Sequence, residues 1–216
     1  FTLFDKSTIK TRIAASTLNA KDLRAYAQAV EDFDTLGVRR EFPPWHQACV
    51  AAGMQAGSPI GQPLTLKYVR GLSFRSDISW NPLEDADEMI RAGLMFSETI
   101  EGKGTRWVRN ITTWLRDNNL AYIEGSVNQA VNVAKQEFRD RMEIIVGDPA
   151  FDGTLKAAKG AAIDVLGELA SEGIIVTSRG LTIVFEQDKA YVDVEIALGL
   201  PINFVKTTIH LISIRQ

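Results

Sequence analysis

The stretch Ile174–Leu198, IIVTSRGLTIVFEQDKAYVDVEIAL, is where the hydrophobic period of this chain changes from helical to two. Ile174–Thr177, Leu181–Glu186 and Tyr191–Leu198 read as strands. In the last of them Val192, Val194, Ile196 and Leu198 share one face, while Asp193 and Glu195 take the other. Glu186-Gln187-Asp188-Lys189 has the length of a hairpin turn. Upstream the period is helical. Ser126 and Gln129 form a capping-box pattern, followed by a stripe of Val127, Ala130, Val131, Ala134, Phe138, Met142 and Ile145. This predicts an amphipathic helix of roughly five turns, ended by Gly147-Asp148-Pro149. A second helix carries Leu155, Ala158, Ala162, Val165, Leu166 and Leu169 and closes at Gly173. The C-terminal half is thus expected to be two helices, an antiparallel meander and a final strand.

That final strand, Ile202–Ile214, has apolar residues on both faces: Val205, Ile209 and Leu211 on one, Phe204, Ile212 and Ile214 on the other. Both faces call for burial, which suits a strand inserted into a sheet, its own or a neighbour's. Standing free, it would be an edge of the kind natural proteins cover.

The N-terminal half is less regular. Asn19 reads as a helix cap with Asp22 at N3, and Leu23, Tyr26, Ala27, Val30 and Phe33 follow at helical spacing to a stop at Gly37. Phe42-Pro43-Pro44-Trp45 breaks the chain before a small-residue stretch, His46 to Ala56. Gly57 to Pro63 is a loop, and Leu64 to Arg70 fits a short strand or a helix equally. Asn81-Pro82-Leu83-Glu84 is a helix start, and that helix stops near Gly93. Leu94–Ile100 and Arg106–Trp114 read as strand, or strand then helix, around the turn Glu101-Gly102-Lys103-Gly104.

The chain of 216 residues has room for one large or two small domains and for a core without staples. A net charge of −3 argues against non-specific nucleic-acid binding. Its one cysteine, Cys49, makes no internal disulfide and is compatible with a reducing compartment. No apolar run reaches membrane-spanning length, and no signal peptide opens the chain. Because the sequence begins at Phe1 rather than Met, it is expected to be a piece of something longer.

Chemistry is sparse. His46 and Cys49, three apart on a predicted helix, could pair as base and nucleophile, but a small apolar helix with an incidental histidine accounts for them better. The glycine-rich run Gly53–Gly61 lacks the lysine of a phosphate loop and the order of a dinucleotide fingerprint. Glu84, Asp85, Asp87 and Glu88 have no calcium-loop spacing and favour the first turns of a helix through its dipole. Trp107 and Trp114 are expected in the core. Arg106, Arg109 and Arg116 give their segment a basic edge. No catalytic set, cofactor or metal site is expected.

Two stretches carry a family resemblance. Ala51-Ala52-Gly53-Met54-Gln55-Ala56-Gly57-Ser58, running into Gly61-Gln62-Pro63-Leu64-Thr65, is one. Gly102-Lys103-Gly104-Thr105-Arg106-Trp107-Val108-Arg109-Asn110-Ile111-Thr112-Thr113-Trp114-Leu115, with Asn119-Leu120-Ala121-Tyr122 and Glu124-Gly125-Ser126-Val127, is the other. They resemble the end of the central domain and the opening of the C-terminal domain of contractile bacteriophage tail sheath proteins and their relatives in contractile injection systems.

The resemblance implies an α/β plus α+β fold. Residues 1–100 would belong to a subtilisin-like central domain without protease activity. Residues 101–201 would form the α+β C-terminal domain, with two helices and an antiparallel meander, and residues 202–216 a terminal strand or arm. It implies a structural subunit of the virion tail, assembled in the bacterial host cytoplasm. The partners implied are further copies in a helical stack of rings, the tail tube, and baseplate and terminator proteins, with no nucleic acid, membrane insertion or cofactor. Phe204, Val205, Lys206, Thr207, Thr208, Ile209, His210, Leu211 and Ile212 would be the inter-subunit strand, with Gly199 and Pro201 as its hinge. Either the segment of Arg106, Arg109 and Arg116 or the helix of Lys135, Arg139 and Arg141 would face the tube. A baseplate or terminator protein, or a subtilisin-like hydrolase, is the alternative.

Overall fold

A computed structural model describes residues 9–26, 29–73, 85–149, 151–186 and 189–201. The expected terminal strand and the helix start at Asn81–Glu84 lie outside these residues. The order of elements is α1 (Ile9–Leu18), β1 (Val30–Phe33), β2 (Arg39–Phe42), α2 (Pro44–Ala56), β3 (Tyr68–Val69), α3 (Asp85–Arg91), β4 (Ser97–Ile100) and β5 (Gly104–Trp107). Then come α4 (Leu120–Ile123), α5 (Gly125–Met142) with a short turn of 3-10 helix, α6 (Asp152–Ser171), β6 (Ile175–Glu186) and β7 (Lys189–Leu198). Among the described residues the strands make three small antiparallel sheets, β1-β2, β3-β5-β4 and β6-β7. The result is a mixed α/β architecture.

The helix expected over Asn19–Phe33 does not form. Asn19 instead ends α1 with a left-handed backbone (φ 41°), and its Oδ1 accepts the Leu115 N–H at 2.9 Å. The carbonyls of Leu23 and Ala25 accept N–H bonds from Thr113 and Met95. Carbonyls turned sideways toward distant segments do not line up along a helix axis, so these residues do not close i→i+4 turns. Val30 to Phe33 then pair with β2, and Gly37 (φ 74°) turns that hairpin instead of ending a helix. The segment Leu64–Arg70 resolves to a turn at Leu66 and the two-residue strand β3. Strand structure after Arg106 ends at Trp107.

Trp107 is fully buried with Tyr26, Val30, Ala51, Leu64 and Met95 in one core. Beside it Met89, Leu94 and Phe96 pack on Ala15 and Ala25. Helix α3 stops in a Schellman arrangement: Gly93 N–H reaches the Ile90 carbonyl and Leu94 N–H that of Met89. Gly93 has φ 75°, and a Cβ there would lie 3.0 Å from the Thr113 Cα. Gly93→Ala is therefore expected to destabilise the protein by about 2 kcal/mol or more, combining left-handed strain with a backbone clash. The urea midpoint checks this; an unchanged midpoint contradicts it.

The third core belongs to the C-terminal half. Ala130 and Ala134 of α5 meet Val165, Leu166 and Leu169 of α6 and Ile174–Ile175, with Phe138 at the margin. Burying each of the larger side chains contributes about 1.5–3 kcal/mol. Helix α5 starts one residue before the expected capping box. Glu124 occupies the cap position without a side-chain cap bond, and Gly125 N–H is taken by the Asn110 carbonyl. The two halves meet along a polar seam. Asn128 Nδ2 donates to the Lys21 carbonyl and to Asp22 Oδ1, both at 2.9 Å. Bonds from Asn128 and Asn132 hold the Asp22 carboxyl below its ordinary pKa. The Arg24 guanidinium lies 2.7 Å from where a Gly125 Cβ would be, so glycine is what lets α5 approach it.

Candidate assembly surface

Helix α6 hands the chain to β6 through a second Schellman turn. Gly173 N–H bonds to the Ala170 carbonyl and Ile174 N–H to that of Leu169, with Ile174 and Leu169 both buried. From there β6 runs unbroken to Glu186, where two strands had been expected. Gly180 (φ 69°) accounts for the difference: it sits at a register shift between Arg179 and Thr182, so the chain bulges and continues instead of turning. The expected meander is accordingly a two-stranded hairpin. Ile175 pairs with Leu198 at its base and Glu186 with Lys189 at its tip.

The hairpin has an inner and an outer face. Leu181, Val194, Ile196 and Leu198 pack inward on the α5–α6 core, following the alternation read from the sequence. Outward, Val176, Val184 and Tyr191 are 68%, 49% and 50% exposed, and Arg179 pairs with Glu195 across the strands. Among the described residues β6 and β7 pair only with each other, which leaves two long edges. A two-stranded ribbon is marginal by itself. Here one face rests on helices, while both edges can take further strands. Along the free edge of β7 runs a groove of about 470 Å³, floored by Val131, Ala134 and Phe138 of α5.

Gly199 and Pro201 follow β7 without regular structure, and Phe204–Ile212 lie outside the described residues. The six basic residues do not share one environment. Arg106 of β5 binds Glu98 of β4 at 2.7 Å. The Arg109 Nε donates to Glu124 Oε1 at 3.0 Å, and the Glu124 side chain is only 1% exposed. Arg141 binds Glu168 of α6 at 2.6 Å. Arg116 lies over the Trp114 ring at 5.3 Å. Lys135 and Arg139 are exposed on α5, where they rim the groove. Sequence spacing did not point to the groove or the Arg109–Glu124 pair.

The candidates for chemistry fall elsewhere. His46 Nε2 is 2.7 Å from Asp32 Oδ2, and its ring stacks on Phe42 at 4.3 Å between centroids. Cys49 is exposed. Ser58 donates its hydroxyl to the Met54 carbonyl. Asp87 pairs with Arg91 one turn on. Among the described residues no group of three potential metal ligands forms, and no helix is long and apolar enough to cross a membrane.

No family model matches the chain. The tail sheath protein of Bacillus phage SP01 is 25% identical over 175 residues, covering 80% of this chain and 30% of that protein. The contracted sheath complex of the extracellular contractile injection system PVC superposes with a TM-score of 0.73 at 16% identity, over 97% of this chain and 62% of the sheath chain. A chain of the six-fold symmetrised baseplate of the anti-feeding prophage superposes at 0.70 and 14% identity, over 89% and 55%. The chain therefore spans less than two thirds of each of these relatives. Sequence and fold both bear out the resemblance to contractile tail sheath proteins, and the fold is theirs.

Proposed function

We propose that this chain is part of the structural subunit of a contractile tail sheath. The subunit polymerises helically around a tail tube, and contraction of the lattice drives the tube through a host envelope. The observation that carries this reading is the β6–β7 hairpin, packed on helices by one face and, among the described residues, open at both edges, in a chain similar to a phage tail sheath protein over 175 residues. Residues 203–214 of one copy add to the β6–β7 sheet of a neighbour, with backbone bonds supplying affinity and alternate side chains supplying register. Gly199-Leu200-Pro201 is the hinge of that link, where glycine permits motion and proline limits it. Subunits then move as nearly rigid bodies between two lattices, driven by the free-energy difference between them and without a nucleotide.

In this reading residues 1–100 are the end of a subtilisin-like central domain, residues 101–201 the C-terminal domain and 202–216 the arm. Trp107 packs with the first of these parts. The role is structural, not enzymatic. The subunit belongs to the virion tail, is assembled in the host cytoplasm, and has baseplate and terminator proteins as end partners. Lys135, Arg139 and Arg141 of α5 are proposed to meet the tube by charge complementarity, with Arg106, Arg109 and Arg116 as the other basic surface. Reversing Arg139 and Arg141 to Glu is expected to weaken tube–sheath co-assembly by at least about tenfold at low salt, with a smaller effect at high salt. Co-sedimentation with tubes measures it, and unchanged assembly removes α5 as the contact.

The similarity to a baseplate chain favours one second reading, a ring-forming part at the tail end. Electron microscopy of purified full-length protein separates the two: a sheath forms long hollow tubes, and a ring component forms single rings.

A further inference from the structure

The groove beside β7 combines an apolar floor with a strand edge that pairs with no other described residue, so its natural occupant is an extended strand, which satisfies both at once. The nearest such strand is the chain's own continuation. β7 ends at Leu198, and Gly199-Leu200-Pro201 leads directly to the apolar run at 203–212. We propose that in the unassembled subunit residues 203–212 fold back along the free edge of β7 and close the groove, and that polymerisation exchanges this strand for the same strand of a neighbouring copy. The proposal rests on the strand-exchange reading above and adds its control: the subunit occupies its own docking edge until assembly.

Register singles out this arrangement. A four-residue loop, Gly199–Ile202, is a common hairpin connection. It sets Leu198 opposite Asn203, Ile196 opposite Val205, Val194 opposite Thr207 and Val192 opposite Ile209. These tail side chains then lie over the groove floor. On the outer face Lys206 meets Glu195, extending the Arg179–Glu195 pair into a ladder of alternating charge, and His210 meets Tyr191. A loop one residue shorter or longer turns Lys206 onto Val131, Ala134 and Phe138. A two-residue loop puts Pro201 into the ladder, where it has no N–H to donate. Because the same contacts form within and between copies, exchange changes little in the strand itself. Concentration and the rest of the lattice then decide where assembly begins.

The test uses the full-length protein with Cys49→Ser, which removes the exposed thiol, together with Glu195→Cys and Lys206→Cys. Oxidised as a dilute monomer, it is expected to form an intramolecular disulfide, to make no tubes, and to make them again after reduction. Recovery on reduction shows that the variant is folded. As a second readout, backbone amides of Val192–Leu198 in the wild-type monomer are expected to exchange on the order of tenfold more slowly than in a chain ending at Pro201. Disulfides that form only between chains, or equal exchange rates with and without the tail, overturn the fold-back and leave strand donation between copies standing. Wild-type protein that makes no tubes under any condition overturns the sheath reading instead, while the monomer cross-link still reports the fold-back.

Discussion

Deleting residues 203–216 is expected to leave a folded chain that forms no tubes at any concentration at which the full-length protein does. The fold is expected to survive because, among the described residues, Val165, Leu166 and Leu169 of α6 pack on α5, Ile174 and Ile175 and hold the hairpin. Assembly fails because the deletion removes the strand each copy contributes, while β6 and β7, which pair only with each other among the described residues, keep their receiving edges. Exposing the groove at Val131 and Phe138 lowers solubility without unfolding the chain. Circular dichroism should report native helix and strand content, and micrographs should show no helical particles. Tubes formed by the truncated protein would sink strand donation, whatever else holds the lattice together.

The second large effect is expected at the junction of the two halves. Glu124 sits at the start of α5 with its side chain 1% exposed, facing the Arg109 guanidinium. Arg109→Ala leaves that carboxylate in a low-dielectric site without this guanidinium. The expected cost is on the order of 3 kcal/mol, the lower part of the range for breaking a buried pair, because Arg109 itself keeps some exposure. Urea denaturation near neutral pH measures the loss, and a midpoint unchanged from wild type would contradict the account. Arg109→Lys, which keeps the charge and loses the planar fork, should fall between the two.

The C-terminal half was legible in the sequence because its elements are long and periodic. The stripes on α5 and α6 and the alternation in β7 each span enough residues for one face to be recognised, and Gly102, Gly104 and Gly173 take the positive φ values their turns need. The segment from Asn19 to Phe33 was misread for the opposite reason. Its apolar spacing fits a helix, but its carbonyls are claimed by Met95 and Thr113, some 70 to 90 residues away in the chain. Local periodicity carries no trace of such partners. The same holds for the basic residues. Arg106 and Arg109 look like an open edge until the fold brings Glu98 and Glu124 against them. At Gly180 the signal was present and its meaning differed: a glycine between two strand-like runs marks a bulge in one strand as readily as a turn between two. The apolar groove beside β7 needed the fold itself, since it joins residues of α5 to residues some 60 positions further on.

The central claim is that this chain builds a lattice by giving a strand to its neighbour's hairpin. Cryo-electron microscopy of the purified full-length protein tests it most directly. The account predicts long hollow helical tubes in which every β6–β7 hairpin lies in a sheet extended by residues 203–212 of another copy. Single rings or dispersed monomers, or tubes in which the hairpin edges meet no strand from a neighbouring copy, would contradict it.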